Sequence, residues 1–208
     1  MPAGAPWLGH RHHLVHYPVS GGRLVNLVAF SPARRGEVES WSAVGRVTDL
    51  AAEFAGWDPR LGKLIAVAER VGRWSVLDRA PLPRWVQGRV ALLGDAAHPM
   101  YPIGSNGASQ SIIDGEAIAQ ELSAGDDPEK ALRRYEECRL PPMARIVESN
   151  RRKGIDVMLD IVEERAPQGF SDVHAVLPAD ELERIVGDYK KLAAQDRETL
   201  MRLAGHHQ

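Results

Sequence analysis

The sequence of 208 residues predicts a mixed protein of the α+β or α/β class. Two β-rich runs separated by Ser20-Gly21-Gly22 stand near the start, and amphipathic helical periodicity fills the last third. Between them, residues 89–122 have the pattern of a strand, a glycine-rich turn and a helix. With 44% hydrophobic residues, the chain is long enough to bury one large core or two small ones.

Charge and cysteine content limit the classes of function. The 26 basic and 28 acidic residues are intermixed and give a net charge of −2, so no basic surface suited to nucleic acid is predicted. The single cysteine, Cys138, excludes an intramolecular disulfide and suits a reducing compartment. Because it shares a predicted helix face with Ala131 and Tyr135, we expect a buried, inert thiol. Neither a leader peptide nor an apolar run of about 20 residues is visible, which predicts a cytoplasmic protein without membrane contact.

The first part, residues 1–82, is predicted to be a β-sheet domain with short helices. Residues 14–19 and 23–30 should form a hairpin, and one of its faces should meet something polar because His16 and Asn26 interrupt the apolar pattern. A charged, exposed connection follows at residues 32–40. Thr48-Asp49 and Asp58-Pro59 have the pattern of two helix starts, with helices ending near residues 54 and 68, and residues 73–77 should form a strand.

The histidine cluster of this first part comprises His10, His12, His13 and His16. His12 and His16 have the even spacing that puts two side chains on one strand face. A metal site would need further ligands at ligand spacing, and no Cys, Asp or Glu supplies them nearby. Surface or edge-strand histidines are therefore the preferred interpretation, and no metal is predicted.

The second part, residues 83–124, brings an acidic residue and a helix start together. Residues 90–93 predict a strand buried on both faces that ends at Gly94. Asp95 then lies just past the carboxyl end, where open α/β sheets bind their ligands. Pro99 and Pro102 exclude a helix in the next residues.

The helix that follows has a narrow face of small residues. Ser105 or Asn106 is its predicted N-cap, and the free N–H groups of its first turn should point at whatever lies past the strand ends. The face that we expect to approach a sheet or a cofactor closely consists of Ala108, Ile112, Gly115, Ala119 and Leu122.

The third part, residues 125–208, is predicted to be helical. A helix should start at Asp126-Asp127-Pro128 and break at Pro141-Pro142. A longer amphipathic helix over residues 143–161 should follow, and a last helix should start at residues 178–180 and present Tyr189 and Leu192 on its apolar side. Gly205 begins a polar tail.

Two strings in the second part resemble a known motif. G-D-A-A-H-P at residues 94–99, followed by G-S-N-G-A-S-Q-S-I-I-D-G at residues 104–115, resembles the second flavin-binding motif of the class A FAD-dependent aromatic monooxygenases. The form is similar to that of salicylate hydroxylase, 6-hydroxynicotinate monooxygenase and phenazine monooxygenase. Residues 17–29 are similar to the substrate-domain sheet of the same family, and residues 78–90 to the approach to its flavin motif. A generic strand, turn and helix occurs in any α/β protein but does not account for the combined strings.

This resemblance implies the C-terminal part of a two-domain FAD-dependent monooxygenase fold: a substrate-domain β-sheet, the flavin-motif strand, turn and helix, and C-terminal helices. It implies FAD as cofactor, NADH or NADPH as reductant, and hydroxylation of a small aromatic acid through a C4a-hydroperoxide of the flavin. Asp95 would accept hydrogen bonds from the ribityl hydroxyls, with turn capping as its alternative role. The other cofactor-binding residues implied are Gly94, Pro102, Gly104, Ser105, Asn106, Gly107 and Ala108. The substrate-lining residues implied are Tyr17, Asn26, Trp74 and Tyr101.

No catalytic residue is assigned, since a role in packing or in holding the backbone explains His98 and Tyr101 equally well. The strand and G-x-G-x-x-G turn that receive the FAD diphosphate in this family, its N-terminal Rossmann βαβ unit, are missing. Three interpretations follow: a C-terminal portion inactive alone, an enzyme half completed by an N-terminal half in trans, or a non-catalytic aromatic-ligand-binding or dimerisation module that has lost FAD. We expect poor stability or self-association when the chain is expressed alone, and a homodimer is one outcome.

Overall fold

The structure is a computed structural model that describes residues 4–32, 40, 42–125 and 127–193. Most of the connection predicted at residues 32–40 and all of the tail predicted from Gly205 lie outside these residues. The chain forms two compact units, residues 1–76 and residues 77–208.

The first unit is built on a three-stranded antiparallel sheet in the order β1 (Ala5–Gly9), β2 (His12–Val19) and β3 (Leu24–Phe30). The predicted hairpin is confirmed, with a single 3₁₀ turn at Ser20–Gly22 between β2 and β3. Gly21 and Gly22 have φ values of 67° and 83°, which glycine adopts without steric cost. Strand β1 was not predicted.

Two helices cover the core of this unit. They are α1 (Val47–Glu53) and α2 (Pro59–Ala66), close to the two predicted helices. The Asp58 carboxylate accepts the Arg60 N–H at 2.8 Å and so caps α2, as its sequence predicts. The core of the unit consists of Leu14, Phe54, Leu61 and Ile65, with Trp57 packed against it.

The predicted strand at residues 73–77 is wrong. The strand there is β5 (Val71–Gly72), which pairs with β4 (Val44–Gly45), and residues 73–77 have no regular secondary structure. A strand needs a partner for its backbone groups, and the pairing described for this segment ends after two residues.

The second unit begins with a hairpin of β6 (Val86–Gln87) and β7 (Val90–Ala91). The prediction of a strand buried on both faces at residues 90–93 is wrong, because Val90 is 67% exposed and Leu93 44% exposed. Within the described residues β7 pairs only with β6, so nothing covers both faces as neighbouring strands in a parallel sheet would.

Two long helices form most of the core of this unit. They are α3 (Gly107–Ser123) and α4 (Pro128–Arg151). The predicted break at Pro141-Pro142 is wrong, because α4 continues through both prolines. Buried side chains before and after the prolines anchor both halves of α4, so packing outweighs the helix-breaking preference of proline. These side chains are Ala131, Leu132, Tyr135, Met143, Ile146 and Val147.

The small-residue face of α3 does not face the core. Ile112 is 74% exposed and Leu122 43% exposed, whereas Gln110 and Asp114 are buried on the opposite side. Cys138 is also exposed, contrary to prediction, since the buried face of α4 runs through Tyr135 and Arg139. A shift of one residue along a helix rotates a side chain by about 100°.

Three shorter helices complete the unit: α5 (Val157–Arg165), α6 (Val173–Val176) and α7 (Ala179–Leu192). The predicted helix over residues 143–161 is divided, because Lys153 has a left-handed φ of 72° and a 3₁₀ turn follows at Gly154–Asp156. Helix α7 occupies the predicted position of the last helix. Across the described residues, none of the helices combines the length and the apolar character that a membrane span requires.

Candidate functional site

The turn after β7 and the first residue of α3 lie side by side. Residues Gly94–Ala96 form a 3₁₀ turn in which the Gly94 carbonyl accepts the N–H groups of Ala97 and His98, both at 2.9 Å. Asp95 is exposed on this turn. Its Oδ1 lies 3.9 Å from the point where a Cβ on Gly107 would stand. The arrangement therefore places a carboxylate next to the N-terminus of α3.

The N-terminus of α3 lacks a side-chain cap. Asn106 occupies the N-cap position, but its side chain does not bond to the first turn, so the predicted capping role of Ser105 or Asn106 is wrong. The Asn106 Nδ2 instead donates to the Tyr189 hydroxyl at 2.7 Å. Gly107 is half-buried and Ala108 exposed. Within the part of the chain that the structure describes, no side chain caps the first N–H groups of this 17-residue helix, so these groups and the positive end of its dipole are open to another acceptor.

The loop before α3 has two consecutive residues in left-handed conformations. Gly104 has a φ of 69° and Ser105 a φ of 56°. Tyr189 from α7 lies against this loop so closely that a Cβ on Gly104 would stand 2.3 Å from its ring. The other predicted residue of the loop, Pro102, is exposed.

A buried cluster of charged residues forms a hydrogen bond with the backbone of the turn that carries Asp95. Asp114, on α3 with no exposed surface, accepts the Gly94 N–H at 3.0 Å, His98 Nε2 at 2.6 Å and Arg139 Nε at 2.8 Å. Burial acts to raise the pKa of Asp114, but the hydrogen bonds from His98, Gly94 and Arg139 together lower it from 3.8. Asp114 is therefore a carboxylate in the folded protein at neutral pH.

His98 is part of this cluster and does not reach an open surface. It is 3% exposed, and its ring lies 5.5 Å from the Trp85 ring, centroid to centroid. The structure therefore gives His98 contacts with Asp114 and with the core. Its Nδ1 has no hydrogen-bond partner among the described residues.

The four residues predicted to line a substrate site are distributed between the two units. Tyr17 and Asn26 face each other across β2 and β3, and Asn26 Nδ2 donates to the Tyr17 hydroxyl at 2.8 Å. Trp74 is 58% exposed. Tyr101, in the second unit, is half-buried, and its pKa is raised by burial and next by the carboxylate of Asp78. Only the pairing of Tyr17 with Asn26 is a described contact among the four.

Sequence reasoning missed the polar residues that hold the site in place, namely Asp114, Arg139, Asn150 and Tyr189. Arg139, Asn150 and Tyr189 lie on helix faces that otherwise carry mostly apolar residues, and Asp114 shares the buried face of α3 with Gln110. A buried polar group needs a hydrogen-bond partner, so a polar residue on a buried helix face is the sequence signal that could have identified these residues. The identity of the partners depends on the tertiary structure.

Comparison with known proteins agrees with this arrangement. Residues 65–150 match the family described as FAD binding domain. The chain is 42% identical over 149 residues to 3-amino-4-hydroxybenzoate 2-monooxygenase PtmB3 of Streptomyces platensis, covering 71% of this chain and 38% of that protein. It is 40% identical over 152 residues to phenazine 1,6-dicarboxylic acid hydroxylase PhzS of Lysobacter antibioticus, covering 66% of this chain and 37% of that protein.

A solved structure shows the same fold. The salicylate hydroxylase substrate complex superposes with a TM-score of 0.66 at 25% identity, covering 92% of this chain and 49% of that chain. The fold is thus part of a FAD-dependent monooxygenase fold, within the class of flavoproteins. Residues 65–150 thus match a FAD-binding domain, and the chain is similar to part of the FAD-dependent aromatic monooxygenases. It spans less than half the length of these relatives.

Proposed function

We propose that this chain holds the flavin ring and ribityl chain of FAD in an enzyme that hydroxylates a small aromatic acid with NADH or NADPH as reductant. The observation that carries the proposal is the exposed carboxylate of Asp95 beside the uncapped N-terminus of α3. FAD, when bound, supplies the redox and oxygen chemistry, and the protein supplies position and electrostatics.

The donor and acceptor groups on this surface fit that part of the cofactor. An ionised carboxylate only accepts hydrogen bonds, so Asp95 is suited to two neighbouring hydroxyl groups of a ribityl chain. The N–H groups of Gly107 and Ala108 are donors suited to the pyrimidine edge of the ring, where negative charge collects on reduction. Because these dipoles are fixed by the helix, they would stabilise that charge without reorganisation.

The conformation of the turn at Gly94 supports the same assignment. Gly94 has a φ of 59°, and a Cβ there would stand 2.9 Å from Ser111 Oγ, so the turn that carries Asp95 requires glycine. Pro102, Gly104 and Ser105 would face the ring through the backbone of their loop.

In the first unit, the polar pair of Tyr17 and Asn26 is the proposed contact for the acid substrate, while Trp74 and Tyr101 stay predictions from the resemblance.

We further propose that hydroxylation requires a segment that binds the FAD diphosphate. The family places the diphosphate on a G-x-G-x-x-G turn, and these 208 residues contain no such turn. Such a segment, supplied in trans or within a longer polypeptide, would complete the cofactor site.

The test is to titrate the purified chain with FAD, following flavin fluorescence and the visible spectrum, with and without a G-x-G-x-x-G half from a relative. We expect weak binding alone, tighter binding with the added half, and NADH or NADPH oxidation stimulated by aromatic acids only in the combination. Asp95→Ala should abolish the binding. Asp180→Ala, which removes an exposed carboxylate elsewhere in the same unit, is the matched control and should bind normally.

The other outcomes are equally informative. Unchanged FAD affinity in Asp95→Ala would contradict the role of that residue. Tight binding and turnover by the chain alone would contradict the need for a second segment. Binding of aromatic acids with no response to FAD under either condition would favour the non-catalytic binding module.

A further inference from the structure

Tyr189 connects the last described helix to the loop that precedes α3. Its hydroxyl accepts Asn106 Nδ2 at 2.7 Å. Its single proton lies between two acceptors, Asn150 Oδ1 at 2.7 Å and the Ile103 carbonyl at 2.9 Å. Burial raises the pKa of Tyr189 although its hydrogen bonds with Asn150 and Asn106 oppose this, so the hydroxyl stays protonated at neutral pH and is able to donate.

Asn150 on α4 extends the same network. Its Nδ2 donates to the Tyr101 carbonyl at 3.1 Å and lies 3.4 Å from the Ile103 carbonyl. Asn150 is 1% exposed and Tyr189 6% exposed, so water does not compete for these hydrogen bonds. Two helices therefore hold the backbone of the loop from one side.

The glycines around Tyr189 show how closely its ring fits. A Cβ on Gly104 would stand 2.3 Å from the ring, and a Cβ on Gly154 would stand 3.0 Å from it. The ring therefore fills the space beside the left-handed pair Gly104 and Ser105, a conformation that a non-glycine residue adopts only when its surroundings impose it.

We infer that Tyr189 is a positioning residue for the flavin site: its hydroxyl fixes residues 101–106 so that the N-terminus of α3 is held ready for the cofactor. The effect of Tyr189 on flavin affinity rests on the proposed function. Its effect on the backbone of residues 101–106 does not depend on any ligand. Part of the flavin affinity is thereby assigned to Tyr189 of α7, which is 83 residues away from Asn106 in the sequence.

The test uses Tyr189→Phe, which keeps the ring between Gly104 and Gly154 and removes only the hydroxyl. The matched control is Tyr135→Phe, because Tyr135 is equally buried and its hydroxyl donates to the Leu92 carbonyl at 3.1 Å, outside the loop. Amide hydrogen exchange is measured on each folded chain without flavin. We expect exchange at residues 101–108 to rise about tenfold in Tyr189→Phe and to stay unchanged in Tyr135→Phe.

A second variant, Asn106→Ala, removes the other partner of the hydrogen bond. If Asn106 acts on the loop through this bond, the double variant should exchange no faster at residues 101–108 than Tyr189→Phe alone. In the FAD titration, Tyr189→Phe should raise the dissociation constant about tenfold at a thermal stability equal to that of Tyr135→Phe.

Each result decides one question. Unchanged exchange at residues 101–108 in Tyr189→Phe, or an equal rise throughout the unit and in both tyrosine variants, would overturn the inference while the proposed function stands. Local exchange that rises as expected in a chain that binds no FAD would support the positioning role and contradict the proposed function. Increased local exchange with unchanged FAD affinity would overturn the assignment of flavin affinity to α7.

Discussion

At the scale of single residues, the buried carboxylate of Asp114 links the turn that carries Asp95 to helix α4. It receives three hydrogen bonds, from the Gly94 backbone, from His98 and from Arg139, and Arg139 also donates to Gln110 Oε1 at 2.7 Å. A carboxylate without exposed surface is tolerated only because these donors compensate its lost hydration. Since one of the donors belongs to the turn that carries Asp95, the buried charge also fixes the exposed one.

Asp114→Asn is expected to lower the free energy of unfolding by about 3 kcal/mol, because the Arg139 guanidinium stays buried without its counter-charge. Urea denaturation measures the change. The matched control is Glu121→Gln, which removes the carboxylate from the half-exposed pair with Arg134 at 2.6 Å and should cost less than about 1 kcal/mol. An equal loss of unfolding free energy in the two variants would contradict the larger contribution to stability that is expected of Asp114.

Asp114→Asn should also change how the stability of the protein depends on pH. The pKa of Asp114 is lower in the folded protein than in the unfolded chain, so the unfolded chain binds more protons in the interval between the two values. The stability that Asp114 contributes is therefore present above about pH 4 and is lost as the pH falls below it. Asp114→Asn should remove this part of the acid-dependent loss, and an unchanged acid profile would count against the assignment.

At the scale of elements, α7 packs so closely against the loop before α3 that it limits which residue types fit in the loop. Gly104 is required for two reasons, its φ of 69° and the Tyr189 ring, whereas Gly125 has a φ of 76° with open space around it. The two glycines therefore separate backbone strain from steric overlap.

Gly104→Ala should lower the unfolding free energy by about 3 kcal/mol, as the sum of left-handed strain and overlap with Tyr189. Gly125→Ala carries the strain alone and should cost about 1 kcal/mol. Thermal and urea denaturation of both variants supply the comparison. An equal loss of unfolding free energy in both variants would mean that overlap with the Tyr189 ring adds nothing to the cost at Gly104.

At the scale of the whole chain, several apolar side chains of the second unit remain exposed. They belong to β7, to the residues that follow it and to the outer face of α3: Val90, Leu93, Ile112 and Leu122. Isolated exposed apolar residues are ordinary, but several on neighbouring elements favour association with another surface. The prediction of self-association from the sequence is therefore retained for this face.

Analytical ultracentrifugation over a range of concentrations should show self-association of the wild-type chain and a loss of it in Ile112→Glu. The charge disfavours burial of this face against a second copy. Phe170→Glu places the same charge at another exposed apolar residue, 51% exposed, and should associate like the wild type. A wild-type chain that stays monomeric at all concentrations would remove the basis for this prediction.

The sequence by itself indicated the likeness to flavin monooxygenases, the hairpin of the first unit, the cap of α2, and the position of Asp95 next to a helix start. These features are local: a turn, a cap or a motif is specified by residues that are neighbours in the chain. The same local rules predicted a break at Pro141 that packing on both sides overrides.

The tertiary structure alone decided which polar residues support the site. Asn106 donates to Tyr189 and not to its own helix, and Arg139 lies on a buried face where the helical pattern predicted Cys138. It also decided that the apolar run at residues 90–93 is partly exposed, because burial of a strand depends on neighbours supplied by other elements. Partners distant in the sequence determine these outcomes, and local periodicity carries no information about them.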